Sequence, residues 1–228
     1  NKDLKFFNPG DVLGSPTGFT PVLYTGNGGT QSIDCGFSPD LVWIKCRDVG
    51  YDHLLYDVLR GPLRRLSSVN TDPEITDTTT LTSFDSSGFT VGNDVVANAS
   101  SNNYVAWCFD AGNTTVANND GSIATQVRSN GNFSIVNWDG NGSAGTVGTG
   151  LSSVDFIISK CASQESDWSV WTSAFSDPTE NLQLNRNYPS SLQPSVISGA
   201  PTGGVVPLGG NGNYNLNMIM YAWKETAG

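Results

Sequence analysis

A single motif occurs twice in this chain and constrains it more than anything else. Asp40-Leu41-Val42-Trp43-Ile44-Lys45-Cys46 and Asp155-Phe156-Ile157-Ile158-Ser159-Lys160-Cys161 each run from an Asp through three apolar residues and one variable residue to Lys-Cys, about 115 residues apart. Gly36-Phe37-Ser38-Pro39 leads into the first copy and Leu151-Ser152-Ser153-Val154 into the second. A period this long rules out a solenoid of short repeats and predicts two related halves. Side chains alternate faces along a strand, so Leu41 and Trp43 take one side while Val42, Ile44 and Cys46 take the other. Both sides are apolar, and such a strand is covered on both. Each half is therefore expected to build its own core on one face of a sheet and to share the other face with its sister.

The surrounding residues extend the pattern. Short β-prone runs are bounded by Gly, Asn and Pro at Phe19–Tyr24, Gln31–Cys35, His53–Leu59, Arg65–Val69, Leu81–Phe84, Phe89–Val91 and Tyr104–Phe109. Such spacing suits a sandwich or jelly roll. Trp138-Asp139-Gly140-Asn141-Gly142 mirrors Tyr24-Thr25-Gly26-Asn27-Gly28, Asp167-Trp168 stands where Asp52-His53 stood, and Ala222-Trp223 lies over Ala106-Trp107. No segment sustains a 3.6-residue period. The prediction is an all-β protein of two pseudo-repeated antiparallel β-sandwich or jelly-roll halves packed together, with minimal helix. Its parts are an arm over residues 1–17, a first repeat over 18–112, a Gly/Asn/Thr-rich connector over 113–130 and a second repeat over 131–228.

Charge narrows the partners. The formal net charge is −10, which repels phosphate backbones and anionic lipid, so neither nucleic-acid binding nor membrane insertion is expected. No apolar run reaches bilayer length. The first residues lack the pattern of a secretory signal, and a start at Asn1 fits a processed product or part of a longer chain. Cys35, Cys46, Cys108 and Cys161 have no metal-ligand spacing and read as small buried apolar residues, although two disulfides in any of three pairings remain open.

Few residues point to chemistry. His53, the single histidine, is flanked by Asp52 and Asp57 but has no nucleophile elbow to serve. The four glutamates, Glu74, Glu165, Glu180 and Glu225, sit in no glycosidase-like pair. No catalytic residue and no metal ligand is assigned. The one cofactor envisaged is a structural calcium in oxygen-rich turns such as Asn118-Asn119-Asp120-Gly121 or Asp139-Gly140-Asn141-Gly142, which serve equally well as plain turns. Aromatic rings beside Asp or Asn suit sugars, which offer both apolar faces and hydroxyls. Tyr51, Asp52, His53, Trp168, Trp171 and Tyr188 are the candidate ligand-binding set, with core packing as the alternative for each ring. Arg60, Arg64 and Arg65 form the one basic cluster and, with Phe6 and Phe7 of the arm, are the candidate subunit contacts.

Gly36-Phe37-Ser38-Pro39-Asp40-Leu41-Val42-Trp43-Ile44-Lys45, Tyr56-Asp57-Val58-Leu59-Arg60-Gly61, Leu81-Thr82-Ser83-Phe84-Asp85-Ser86-Ser87-Gly88-Phe89-Thr90-Val91-Gly92 and Tyr104-Val105-Ala106-Trp107-Cys108-Phe109 together resemble a domain of tailed-bacteriophage virion proteins familiar from marine and cyanobacterial phages. The likeness covers residues 18–112 closely and 131–228 more loosely. Phe109 and Asp110 stand where that domain carries Trp and Lys. The resemblance implies a lectin-like β-sandwich in a virion and carries over no agreed activity or catalytic residue, so a non-enzymatic role is expected. The implied protein is a tail-fibre or head-fibre appendage that displays loops for host-surface or glycan attachment, as a homo-oligomer (a trimer first) among other virion proteins. A capsid decoration protein and a polysaccharide-degrading enzyme are the alternatives.

Overall fold

Apolar–polar alternation, broken by Gly, Asn and Asp, folds residues 18–225, those the computed structural model describes, almost entirely into β-strands. The arm over residues 1–17, with Phe6 and Phe7, lies outside the described residues. The first half contains β1 (Phe19–Thr25), β2 (Gln31–Asp34), β3 (Leu41–Cys46), β4 (Leu54–Asp57), β5 (Arg64–Ser67), β6 (Ile75–Thr76), β7 (Leu81–Phe84), β8 (Gly88–Val91) and β9 (Asn103–Phe109). Its one helix, α1 (Val95–Asn98), is capped by the Asp94 side chain, which accepts from the Val96 N–H. The second half contains β10 (Thr115–Asn118), β11 (Thr125–Ser129), β12 (Phe133–Asp139), β13 (Gly145–Gly148), β14 (Phe156–Cys161), β15 (Ser169–Thr172), β16 (Glu180–Gln183), β17 (Ser191–Leu192), β18 (Val205–Leu208) and β19 (Asn217–Trp223).

The halves share one strand order. A large antiparallel sheet runs β1-β9-β3-β4-β5-β6 in the first, and β12-β19-β14-β15-β16-β17 repeats it in the second. A small sheet, β2-β8-β7 or β13-β18, completes each half. Register gives the residue equivalences. Phe109 stands opposite Phe19 and Leu41, and Trp223 stands opposite Phe133 and Phe156. Trp223 is thus the counterpart of Phe109, and Tyr221 that of Trp107. This corrects the sequence alignment of the final strand by two residues: the recurring Ala-Trp pair draws the eye to the wrong turn of the pleat, but a two-residue slip keeps every side chain on its face. The connector is also corrected. Residues 113–130 contain β10 and β11, which extend the second large sheet beyond β12.

Three apolar layers result. Val42, Ile44, Cys46 and Leu54 join Leu81, Phe89 and Val91 inside the first half, and Ile157, Cys161 and Trp171 join Val147, Val206 and Leu208 inside the second. The third layer lies between the halves, where Leu41, Leu55 and Leu66 meet Ile135, Ile158, Trp168, Ile219 and Tyr221. The division of β3 between two cores is the one its alternation predicts. Phe19, Phe109, Phe133, Trp223 and Phe156 form an aromatic file across this junction, with successive centroids 4.7, 5.3, 4.9 and 5.4 Å apart. Burying each large apolar side chain is worth roughly 1.5–3 kcal/mol, so separating the halves is strongly unfavourable.

The duplicated motif has a structural reason. Asp40 Oδ2 accepts from the Ala111 N–H at 2.7 Å, and Asp155 Oδ2 accepts from the Glu225 N–H at 2.8 Å, two residues beyond the end of the neighbouring long strand in each case. Lys45 Nζ donates to the Tyr51 carbonyl at 2.7 Å, and Lys160 Nζ donates to the equivalent Ser166 carbonyl at 2.6 Å. Lys160 also reaches the Thr71 carbonyl of the first half at 2.9 Å, tying the halves together. Burial pushes the Lys160 ammonium down to about 8. All four cysteines are buried and free.

Candidate functional site

On the shared face of the first large sheet, the second half covers only one end. Leu41 and Leu55 are buried there. Further along the face lie Trp43 on β3, Trp107 on β9 and His53 just before β4, all half-buried. Trp43 and Trp107 are direct cross-strand partners, and Trp107 also faces Pro21 on β1. Trp43 Nε1 donates to His53 Nδ1 at 3.0 Å. The His53 ring lies nearly parallel to Trp107, with centroids 6.2 Å apart and planes 3° apart, and the two indoles meet edge to face at 6.0 Å. Burial and the nearby Lys45 charge lower the His53 pKa, so at neutral pH the ring is uncharged and accepts at Nδ1. Leu23, 65% exposed, extends the apolar surface. Asp52, exposed beside the shelf, accepts from Ser67 Oγ at 3.1 Å. Lys45 fixes the loop behind it by donating to the Val49 and Tyr51 carbonyls.

The candidate ligand-binding residues therefore divide. Asp52 and His53 do come together beside this shelf, whereas the Tyr51 ring packs against the core inside the first half and only its carbonyl, held by Lys45, faces the shelf side. Trp168 and Trp171 do not: Trp168, 0% exposed, is the counterpart of His53 inside the junction, with its Nε1 on the Ser67 carbonyl at 2.7 Å, and Trp171 is buried in the second core. Neither ring offers a face to a ligand. Tyr188, 63% exposed, belongs to the second half. Sequence reasoning passed over Trp43 and Trp107. Alternation puts Trp43 on the Leu41 face, and pairing its strand in register with Tyr104–Phe109 brings Trp107 beside it.

The arginine cluster, the candidate subunit contact, forms a network of ion pairs within the chain. The Arg60 side chain is almost fully buried. Its Nε lies 2.6 Å from Asp57 Oδ2, Nη1 lies 3.0 Å from Glu74 Oε2, and Nη2 donates to the Leu55 carbonyl and the Tyr221 hydroxyl. Tyr221, from the second half, donates to Asp57 Oδ2 at 2.7 Å. Burial, the largest single effect, would lower the Arg60 pKa, but Asp57, Tyr221 and Glu74 together outweigh it and drive the value above the ordinary one. Arg64 pairs with Glu74 at 3.4 Å and Arg65 with Asp77 at 2.7 Å. The negative partners are thus in the same half, on loops and short strands around the cluster.

The turns considered for calcium bond to themselves. Asn118 Nδ2 donates to Asp120 Oδ2 at 2.8 Å, while Asn141 Oδ1 accepts from the Ser143 N–H and from Asn213 Nδ2. Among the described residues no group of three or more His, Cys, Asp or Glu side chains is placed to hold a metal ion. What the shelf can do chemically is stack: two indoles and a neutral imidazole present flat apolar surface next to one exposed carboxylate.

Comparison with curated proteins and with solved structures returned no match. One family model matches residues 15–228, nearly the whole chain including both halves. The chain belongs to the family described as Domain of unknown function (DUF7483).

Proposed function

We propose that this protein is a non-enzymatic structural module of a bacteriophage particle, part of a tail-fibre or head-fibre appendage, and that it presents the Trp43–His53–Trp107 shelf to host-surface glycans. The observation that carries this reading is the half-exposure of those three rings at the end of the shared face that the second half leaves uncovered. Their counterparts Ile158, Trp168 and Tyr221 are buried in the junction. Aromatic faces attract the C–H surfaces of sugars, and Asp52 offers a hydroxyl partner beside them. The resemblance to phage virion domains supplies the setting. An open shelf binds weakly, so useful adhesion would come from several copies held together in a homo-oligomer, a trimer first, alongside other virion proteins. The β framework holds Trp43 and Trp107 on paired strands, with His53 in the loop immediately before β4.

The test has two arms. Free protein added to host cells is expected to block adsorption of particles carrying this chain, and Trp107→Ala, checked for folding by circular dichroism, is expected to lose the block. Antibody labelling of intact particles is expected to mark fibres. Labelling of the shell at capsid stoichiometry would favour a decoration protein. Release of reducing ends from host polysaccharide would favour an enzyme. Unlabelled particles would overturn the virion reading.

A further inference from the structure

The second half contains a cavity at a position where the first half is solid core. In the first, Ile44 on β3 faces Leu54 on β4, and both are buried. The same register positions in the second are Ser159 on β14 and Ser169 on β15, directly opposite each other. A cavity of about 130 Å³ adjoins them. Gln183 and Asn211 add polar walls, and Tyr214 and Met218 add apolar ones.

From this divergence between sister halves we infer that the second half binds a single neutral sugar ring in the cavity beside Ser159 and Ser169. Three features choose the ligand class. The charged groups at the cavity are already engaged: Asp167 accepts from Gln183, Asn185 and Arg186, and the Lys160 ammonium donates to the Thr71 and Ser166 carbonyls. What is left to a guest is hydroxyl and amide chemistry, since among the described residues neither the Ser159 nor the Ser169 hydroxyl has a hydrogen-bond partner in the protein. The volume is below the roughly 300–1,000 Å³ of pockets that bury drug-sized ligands, which limits the occupant to one ring. Tyr214 and Met218 supply the apolar surface a sugar's C–H face requires. The cavity lies in the other half from the Trp43–His53–Trp107 shelf, so this site stands or falls separately from the shelf.

The full chain is titrated with glucose, galactose, mannose and N-acetylglucosamine, and with N-acetylneuraminic acid as an anionic comparison, while saturation transfer and backbone amide shifts are followed by NMR. At least one neutral sugar is expected to bind and to shift amides at Ser159, Ser169 and Asn211. The double variant Ser159→Ile/Ser169→Leu copies the sister half. It is expected to fold and to lose binding by about tenfold or more, because the new side chains occupy the cavity. If it does not fold, the amide map and Asn211→Ala, at an exposed rim position, carry the test. Trp107→Ala, on the shelf, is expected to leave the cavity shifts unchanged. The inference is overturned if no neutral sugar binds, if the shifts map elsewhere, if binding survives in the filled variant, or if the anionic sugar is preferred.

Discussion

Asp40 shows how one residue of the duplicated motif has acquired a second role. It holds the Ala111 N–H as Asp155 holds that of Glu225, but it also lies 2.6 Å from Arg128 Nε on β11. Burial raises its pKa from the ordinary 3.8 to about 6, against the opposing effects of Ala111 and Arg128. The folded chain therefore keeps a proton that the unfolded chain has already lost, and stability falls as pH rises between those two values. Asp40→Asn retains the acceptor for Ala111 and removes the titration. Urea unfolding at several pH values should show the wild type losing about 2 kcal/mol relative to this variant from pH 4 to 6. Parallel curves would refute the assignment. At this scale the sequence was only partly legible. The Asp and Lys of the motif could be seen to recur, but their carbonyl and N–H partners are main-chain groups that carry no residue signature. Trp168 and His53 occupy equivalent positions, and nothing local distinguishes the buried ring from the half-exposed one. The acids that neutralise Arg60, Arg64 and Arg65 include Glu74 and Asp77, too far along the chain for pattern reading to pair them.

The Gly-Asn-Gly turns that follow β1 and β12 are equivalent elements built around one buried asparagine each. Asn98 Nδ2 reaches the Gly92 carbonyl at 2.8 Å and Asn27 Oδ1 at 3.0 Å, while its Oδ1 accepts from the Asn27 N–H. Asn213 reaches Asn141 Oδ1 at 2.7 Å and the Ser143 carbonyl at 2.8 Å. The first glycine of each turn permits this approach: a Cβ on Gly26 would fall 2.2 Å from the Ala99 carbonyl oxygen, and one on Gly140 would fall 1.8 Å from that of Tyr214. Asn98→Ala should lower stability by about 2–4 kcal/mol, because it strands several buried main-chain groups at once. Asn213→Ala should do the same in the second half, and denaturant midpoints will measure both. A change below 0.5 kcal/mol in either would mean that the turn holds without its asparagine. Elements were the best-read level. The long strands of the first half fall where apolar alternation between turn residues placed them. The losses have physical causes: β10 and β11 are rich in Thr, Asn, Gln and Ser, and a strand so polar resembles loop until a neighbouring sheet edge accepts it.

At the scale of the whole molecule, the halves are joined by an apolar layer and by Arg60, Asp57, Glu74 and Tyr221. Arg60→Met would leave the buried Asp57 without its cation, a loss of about 3–5 kcal/mol. At roughly 2–4 °C per kcal/mol for a chain of this size, Tm should fall by about 10 °C. Calorimetry should show one transition for the wild type, because unfolding either half exposes the face of the other. Two resolved transitions would mean that the junction contributes little. The shared layer also bears on ancestry and assembly. A single-copy version of this unit would carry the same oily sheet surface with nothing to cover it, and the simplest remedy is a second molecule of itself. Fusion of two copies turns that encounter between strangers into a permanent fixture of one chain. The covered part of that surface is thereby closed to recruitment, and only the end bearing Trp43 and Trp107 is left facing outward.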